Sequence, residues 1–314
     1  MDKQQVIVLG AGVAGLTAAI YLARAGLDPV VITGSTIGGQ IRAAQHVHNW
    51  PGLLESTGGD FSQHLYDHAH SLGVTFLDER VLSVSAKHRQ LSVTLSSGGT
   101  IESFSLILSL GSTQRRLQCK GASKYWQKGI FVCDAQQNFA KYTGKQVVIV
   151  GGGNSAITFA HKAAKYAQEV TIIQLLDRLT ATDPLTNEVL QHDKISILYS
   201  QEVIQILGDS SCVTEVVMQH TSTNALHAIP ADVVITAIGQ EPNTSLFKGQ
   251  LDLTQSGHIM HDANRTHTSV DGVFAAGDIM DPLYRQAITA SAFGAMAALD
   301  CEYFLTGKVS TQYS

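Results

Sequence analysis

Two glycine-rich segments have the composition and spacing of a phosphate-binding turn. They span residues 10–15 (GAGVAG) and 151–156 (GGGNSA). In such a turn one glycine allows a tight bend, another lets the backbone approach a pyrophosphate, and a small third residue lets helix and strand pack closely. Phosphates then bind the free N–H groups at the start of the helix. Each segment therefore predicts a dinucleotide site.

The residues around each turn predict the βαβ unit that such a site requires. In the first copy, a short apolar run at 6–9 precedes the turn, a helix-like stretch follows at 16–25, and a second β-type run spans 29–33. Because the glycines lie between a strand and a helix in both copies, a simple loop is the weaker interpretation. The corresponding stretches of the second copy are residues 146–150, 157–167 and 170–173.

A third segment adds a carboxylate to the first predicted site. Residues 272–278 (GVFAAGD) form an apolar strand that ends in Gly277 and Asp278, and a helix-like run follows at 287–304. An aspartate just beyond the carboxyl end of a strand can hydrogen-bond ribityl or phosphate-linked hydroxyls. The alternative is that Asp278 only caps a helix.

Composition bounds the class of protein. A length of 314 residues favours two domains, and 44% apolar with 15% charged residues is typical of a soluble globular protein. The net charge of −5 and the lack of a Lys/Arg run argue against nucleic-acid binding. No apolar stretch predicts a signal peptide or a membrane span.

The cysteines and histidines predict no metal site. The histidines form no ligand-spaced cluster, His46 and His48 being two residues apart, and no CxxC is present. Such cysteine usage also argues against a disulfide framework and fits a reducing cytoplasm. The four cysteines are Cys119, Cys133, Cys212 and Cys301.

Several motifs resemble those of low-molecular-weight thioredoxin reductases over roughly residues 5 to 307. They include the flavin-contacting loop, the C-terminal FAD motif and the end of the NADPH domain of that family. The matching segments are residues 33–40 (TGSTIGGQ), 49–52 (NWPG), 237–239 (AIG), 242–244 (PNT), 277–281 (GDIMD) and 284–287 (YRQA).

The resemblance implies an α/β fold with two Rossmann-like domains of the three-layer ββα type, the second inserted in the first. The FAD domain would comprise residues 1–116 and 247–314, and the pyridine-nucleotide-type domain residues 117–246. Family members are homodimers that pass electrons from NADPH to FAD, to a CxxC disulfide and to thioredoxin. The implied FAD-contacting residues are Gly10, Gly12, Val13, Ala14, Gly15, Thr33, Gly34, Gly38, Gly39, Gln40, Asn49, Gly111, Gly277, Asp278, Arg285, Gln286 and Ala287. The implied second-site residues are Gly151, Gly153, Asn154, Ser155, Ala156, Ile238 and Gly239.

One departure from the family removes the dithiol. Counted from Gly129, Cys133 matches the first family cysteine and Gln136 replaces the second. Counted by the Cys-Asp pair, Ile130 replaces the first cysteine and Asp134 is the family's proton donor. A single thiol has no resolving partner. Cys133 and Asp134 are therefore candidates for a thiol and a proton donor, and the alternative is that Cys133 is a buried, inert remnant.

A second departure affects NADPH recognition. The family binds the 2′-phosphate with an HRRxxxR pattern, and residues 174–180 here read QLLDRLT. Leu175, Leu176 and Thr180 replace the guanidinium groups that would form charge-assisted bonds to the phosphate, and Asp177 would repel it. Leucine side chains suit an apolar aromatic ligand better than a phosphate.

The sequence thus predicts an FAD enzyme whose electron donor or acceptor is not NADPH. A ferredoxin-like protein and a second FAD in the second site are the two main possibilities, with a thioredoxin-like protein as a further partner. A C-terminal tail with Tyr313 could cover the flavin or be a disordered polar end. The remaining alternatives are a ferredoxin/flavodoxin–NADP reductase-like enzyme and a non-catalytic flavin-binding scaffold or sensor.

Overall fold

The computed structural model describes residues 3–87, 90–133, 138–263 and 265–308. The helices in these ranges are α1 (Val13–Arg24), α2 (Gly58–Ser71), α3 (Asn154–Ala163), α4 (Thr186–Leu190) and α5 (Ala287–Thr306). The strands are β1 (Gln4–Leu9), β2 (Pro29–Ile32), β3 (Thr75–Leu77), β4 (Val81–Lys87), β5 (Gln90–Leu95), β6 (Thr100–Leu108), β7 (Ser112–Gln114), β8 (Ile130–Val132), β9 (Gln146–Val150), β10 (Glu169–Ile173), β11 (Ile195–Leu198), β12 (Gln201–Gly208), β13 (Val213–His220), β14 (Leu226–Pro230), β15 (Val233–Thr236), β16 (Gln240–Pro242) and β17 (Val273–Ala275).

The first compact unit combines Met1–Thr113 with Glu241–Ser314. Its sheet has the order β3-β2-β1-β6-β5-β4, and the first four of these strands run parallel. The far edge of β6 pairs antiparallel with β5 near its start and parallel with β17 near its end. Because both faces of the sheet are covered, β1 and β2 are buried almost throughout, as their continuous apolar runs predict.

Helices α1 and α5 cover one face of this sheet, and they pack at very short range. A Cβ on Gly294 would lie 2.2 Å from the carbonyl oxygen of Ala14, so only glycine permits this approach. On the other face of the parallel strands, Val84 of β4 and Val93 of β5 form a core with Phe247. The loop after β1 is thereby held at the carboxyl edge of the sheet.

The second compact unit, Gln114–Gln240, repeats this layout. Its parallel sheet has the order β11-β10-β9-β15-β8. Helix α3 packs on one face through Ile157 and Phe159, and the antiparallel meander β12-β13-β14 packs on the other through Val216 and Met218. The second glycine-rich turn joins β9 to α3, just as the first joins β1 to α1.

The predicted fold class, two Rossmann-like α/β domains with the second inserted in the first, is confirmed. The chain passes from one unit to the other within β7, at Thr113/Gln114, and back within β16, at Gln240/Glu241. The family resemblance had implied boundaries at residues 116/117 and 246/247. Among the helices that the structure describes, none is long and apolar enough to cross a bilayer.

Candidate dinucleotide sites and the single thiol

The turn between β1 and α1 requires glycine at two positions for steric reasons. Gly10 has φ +104°, and a Cβ there would lie 2.6 Å from the carbonyl oxygen of Ser109. A Cβ on Gly15 would lie 1.9 Å from the carbonyl oxygen of Gly10. Neither distance is possible for a real Cβ atom, so any side chain would force the backbone apart. These glycines let α1 start directly beside the end of β1.

Gly12 has a different environment, because the space beside it is open. The nearest heavy atom to a Cβ on Gly12 would be the Cα of Gly39, at 3.9 Å. Gly38 lines the same gap, since it bridges to Gly12 and its N–H donates to the carbonyl of Ala11 at 2.7 Å. Helix α1 has no side-chain cap and no acidic residue in its first turn. Its first N–H groups, which have no intrahelical partners, can therefore bind an anionic phosphate.

Ser112 connects two residues that the sequence singled out. Its hydroxyl donates to Oδ2 of Asp278 at 3.2 Å, and the amide of Gln40 donates to its hydroxyl and carbonyl oxygens at 2.9 and 2.8 Å. Burial raises the pKa of the Asp278 carboxyl, the Ser112 bond lowers it, and the charge of Asp281 raises it. The sequence interpretation missed Ser112, and its position directly after Gly111 was the available signal.

We expect the ligand-free protein to become less stable as pH rises through the titration of Asp278. In the folded protein the pKa of Asp278 lies above the ordinary value of 3.8, which we take for the unfolded chain. At a pH between the unfolded and the folded pKa, the folded state therefore binds more protons than the unfolded state. The free energy of unfolding therefore falls as pH rises across that window. Asp278→Asn removes this titration, so its stability relative to wild type should improve with rising pH. Urea unfolding from about pH 3 to about pH 8 measures the difference, and a constant difference would contradict the assignment.

A second carboxylate, that of Asp281, shapes the loop before α5. It is buried and accepts hydrogen bonds, each of 2.9 Å, from the backbone N–H groups of residues 283–285. These bonds hold Arg285 at φ +49°, a conformation that L-residues rarely adopt. The side chain of Gln286 caps α5 and accepts from Nδ2 of Asn49 at 3.0 Å. Asp281 thus positions Arg285, one of the predicted contacts, although the sequence interpretation gave it no role.

Thr33 lies at the end of β2, but its side chain already has protein partners. Its buried hydroxyl lies 3.1 Å from the carbonyl of Gly34, 3.3 Å from that of Leu77 and 3.4 Å from the carboxylate of Asp78. Asp78 was also missed. It follows β3 directly, at the same carboxyl edge of the sheet as Thr33.

The structure brings the predicted first-site residues together within the first unit. Val13 packs in one apolar cluster with Trp50 and Ala287, which links the loop around Asn49 and the start of α5 to the start of α1. Most predicted first-site residues lie just after the carboxyl end of a parallel strand or contact a residue that does. They are Gly10, Gly12, Val13, Ala14, Gly15, Thr33, Gly34, Gly38, Gly39, Gln40, Gly111, Gly277 and Asp278.

The turn between β9 and α3 reproduces the first turn closely. Gly151 has φ +117°, and a Cβ there would lie 2.3 Å from the carbonyl oxygen of Ala237. Gly153 precedes α3, whose start has no side-chain cap, and the nearest atom to a Cβ there would be Oγ1 of Thr180 at 3.7 Å. The second unit therefore also presents an uncapped helix start. Ser155 and Ala156 lie in its first turn, and Ile238 and Gly239 follow β15.

The segment after β10 is fastened to this second turn. The carbonyl oxygen of Gly152 accepts from the N–H groups of Thr180 and Ala181, at 2.9 and 3.1 Å. The side-chain oxygen of Asn154 accepts from the N–H groups of Thr182 and Asp183, at 2.7 and 3.1 Å. Residues 180–183 are thus held against the start of α3, and the segment before them borders Gly152 through Gln174 and Leu179.

Those bordering side chains offer no unpaired cation. Leu175 and Leu176 are 53% and 43% exposed. Arg178 pairs with Asp177 at 3.3 Å, and the buried amide of Gln174 donates to the carbonyl of Arg178 at 2.9 Å. Within residues 174–180, all of which the structure describes, the surface is apolar or charge-balanced. Arg178 is therefore the one guanidinium in this segment, and it lies beside a carboxylate.

Cys133 directly follows β8. Its N–H donates to the carbonyl of Thr236 at 3.0 Å, and its thiol donates to the carbonyl of Ser155, in the first turn of α3, at 3.3 Å. The side chain is partly buried against the α3 face of the sheet. Its predicted companion Asp134 lies outside the described residues, as does Tyr313.

None of the four cysteines, all of which the structure describes, forms a disulfide. Cys119 packs with the meander on the face of the sheet opposite to Cys133, and burial raises the pKa of its thiol. A Cys119–Cys133 disulfide is therefore not part of this fold. Among the described residues, no group of three or more His, Cys, Asp or Glu is arranged to hold a metal ion.

Comparison with known proteins gives consistent matches along the chain. The family model described as pyridine nucleotide-disulphide oxidoreductase matches residues 4–294. A thioredoxin reductase of Coxiella burnetii is 36% identical over 316 residues, covering 97% of this chain and 98% of its own.

Solved structures agree with these sequence matches. The thioredoxin reductase from Giardia duodenalis aligns with a TM-score of 0.70 at 36% identity and covers 97% of this chain and 99% of its own. The Lactococcus lactis thioredoxin reductase, in its FR conformation, aligns with a TM-score of 0.81 at 25% identity and covers 98% of this chain and 100% of its own. The likeness therefore extends over both units.

Proposed function

We propose that this chain, which belongs to the pyridine nucleotide-disulphide oxidoreductase family and is a thioredoxin reductase-like flavin-dependent oxidoreductase, uses an electron donor other than NADPH. The electrons from that donor would pass through a bound FAD. One observation carries the proposal. The first glycine turn keeps an open, uncapped phosphate cradle at Gly12, while Leu175 and Leu176 stand where the second site would need cations.

The residues of the first unit fit FAD. The backbone at Gly12 and the start of α1 would hold the pyrophosphate, since no side chain occupies that gap. Asp278 would accept hydrogen bonds from ribityl hydroxyls, and Gln40 would keep Ser112 directed toward it. Bound FAD supplies the isoalloxazine ring, which accepts and passes on electrons. The protein contributes binding, orientation and the electrostatic environment.

We propose a ferredoxin-like electron-carrier protein as the donor. A second FAD in the second unit is the other candidate, and the exposed Leu175 and Leu176 favour it because alkyl groups suit an aromatic ring. The same leucines argue against a ferredoxin/flavodoxin–NADP reductase, which needs NADPH. A homodimer in the cytoplasm, as the family resemblance implies, completes the proposal, and four cysteines without a disulfide fit that reducing compartment.

An anaerobic titration tests the donor. The purified protein is mixed in turn with NADPH, NADH and a reduced bacterial ferredoxin, and bleaching of the flavin absorbance is followed. Ferredoxin alone should bleach the flavin rapidly. Rapid bleaching by NADPH would overturn the donor assignment, and persistent yellow colour with all three would favour a scaffold or sensor. Flavin released on denaturation should equal one per chain, and two would support the second FAD.

We expect Cys133→Ser to leave ferredoxin-driven turnover within about twofold of wild type. No second thiol accompanies Cys133, so the protein cannot reform an internal dithiol after each turnover. The serine hydroxyl can still donate to the carbonyl of Ser155, which keeps the start of α3 intact. Cys119→Ser is the matched control. If the Cys133 variant lost turnover and the Cys119 variant did not, Cys133 would be an attacking thiol, which is one of the two roles that the sequence allows.

A further inference from the structure

One long stretch of the chain carries only positive charge. The protein has 26 acidic and 21 basic residues, yet residues 103–133 contain no Asp or Glu. The basic residues of this stretch fall within residues 115–128, which we call the basic loop. They are spaced along the loop, so they form no run: Arg115, Arg116, Lys120, Lys124 and Lys128.

The basic loop is compact, and all five of its basic side chains are exposed. Successive turns fold it, with the N–H of Tyr125 donating to the carbonyl of Gly121 and that of Lys128 to the carbonyl of Tyr125. The guanidinium of Arg116 lies over the ring of Trp126, 4.5 Å from its centroid, which joins the two ends of the loop. The charges therefore belong to one surface of the second unit.

These charges have no acidic partner among the described residues. Lys124 contacts only the ring and hydroxyl of Tyr125, with its ammonium 2.7 Å from that hydroxyl. The hydroxyl in turn donates to the carbonyl of Gly208 at 2.7 Å, next to Asp209 on the neighbouring hairpin. The Asp209 carboxylate accepts from the N–H groups of Ser211 and Cys212 in its own turn. The basic loop thus presents five uncompensated charges on a protein whose net charge is −5.

We propose that the basic loop is the docking surface for a small acidic electron-carrier protein. Uncompensated charge of one sign on a protein of the opposite net charge selects an acidic partner and accelerates its encounter. The Arg116–Trp126 pair adds residue types that dominate binding energy at protein interfaces. This inference rests on the proposed function, because a donor that is not NADPH must find a surface on the protein.

Charge reversal of the basic loop provides the test. The variant K120E/K124E/K128E changes three exposed lysines, and K145E/K165E/K248E makes the same change in net charge at exposed lysines elsewhere. Both are purified with flavin and compared with wild type for thermal unfolding and flavin content. Reduced bacterial ferredoxin is the probe, and its binding is measured apart from flavin reduction at about 20 mM and about 500 mM salt.

At low salt, ferredoxin should bind the basic-loop variant, and reduce the flavin of that variant, about ten- to a hundredfold more slowly than it does with wild type. The rates of the control variant should stay within about threefold of wild type. At high salt, the rates of all three proteins should become equal. Equal loss in both variants, or none in either, would overturn the docking surface. Tighter wild-type binding to single-stranded DNA than to ferredoxin would also overturn it. If ferredoxin reduces no flavin in wild type, the proposed function fails, while loop-dependent binding would still identify the surface.

Discussion

Replacing Gly12 by aspartate should give a folded protein that purifies without flavin. Gly12 has φ −77° and ψ −176°, which any residue adopts, and a Cβ there meets nothing closer than 3.9 Å. Aspartate at a helix N-cap accepts from the N–H groups of the first turn. Its carboxylate would therefore take the bonds that the pyrophosphate needs and repel the phosphates as well. We expect FAD affinity to fall at least about a hundredfold, equivalent to roughly 3 kcal/mol.

Gly153→Asp is the matched control for this prediction. Gly153 precedes α3 with φ −90° and ψ −179°, so the same carboxylate is introduced with the same backbone geometry in the other unit. If FAD binds only in the first unit, Gly153→Asp should keep full flavin content. Absorbance at the flavin band, relative to protein, measures both variants. A yellow Gly12→Asp protein with one flavin per chain would contradict our placement of FAD.

The regular elements of both units were predictable because their apolar periods are local. The helix predicted at 16–25 forms as α1, and the one predicted at 287–304 forms as α5. Helix α1 begins three residues earlier than its apolar period indicates, at Val13. Its N-cap is Gly12, so the helix starts within the turn rather than after it. A glycine cap leaves no side-chain signal in the sequence, and the apolar period therefore misplaced the start.

Residues that act through tertiary hydrogen bonds could not be predicted in the same way. Ser112 contacts Gln40 and Asp278, which lie 72 and 166 residues away in the chain. Its position directly after Gly111 is a local signal, but that signal does not identify either partner. Asp281 belongs to the motif at residues 277–281, but the motif does not show its bonds to residues 283–285, because these bonds and the turn that they stabilise form together. Site residues of this kind emerge only when the strands bring distant loops to one edge.

Installing three arginines in the second unit should let NADPH reduce the flavin. The positions are Leu175, Leu176 and Thr180, where the family pattern carries basic residues. Each guanidinium that meets the 2′-phosphate contributes about 1.5–3 kcal/mol. We expect L175R/L176R/T180R to increase the rate of NADPH-driven bleaching about a hundredfold or more. Stopped-flow absorbance under anaerobic conditions measures this rate.

The folding cost of these substitutions should be small. Both leucines are exposed, and the backbone N–H of Thr180, which donates to the carbonyl of Gly152, is kept whatever the side chain. Only the 3.3 Å contact from the threonine hydroxyl to that carbonyl is lost. The glutamine variant L175Q/L176Q/T180Q removes the same apolar groups without adding charge. It should bind NADPH no better than wild type, which separates the effect of charge from that of lost leucines.

The outcome with NADH distinguishes two reasons why the second site would not use NADPH, as we propose. NADH lacks the 2′-phosphate, so the arginines should improve NADPH use far more than NADH use. A gain for NADPH alone would show that the loss of cations is what turned this enzyme away from the nucleotide. No gain with either nucleotide would instead point to residues 180–183, which the bonds to Gly152 and Asn154 hold against the start of α3. The second turn would then be a structural element, and the lost cations a consequence of its disuse.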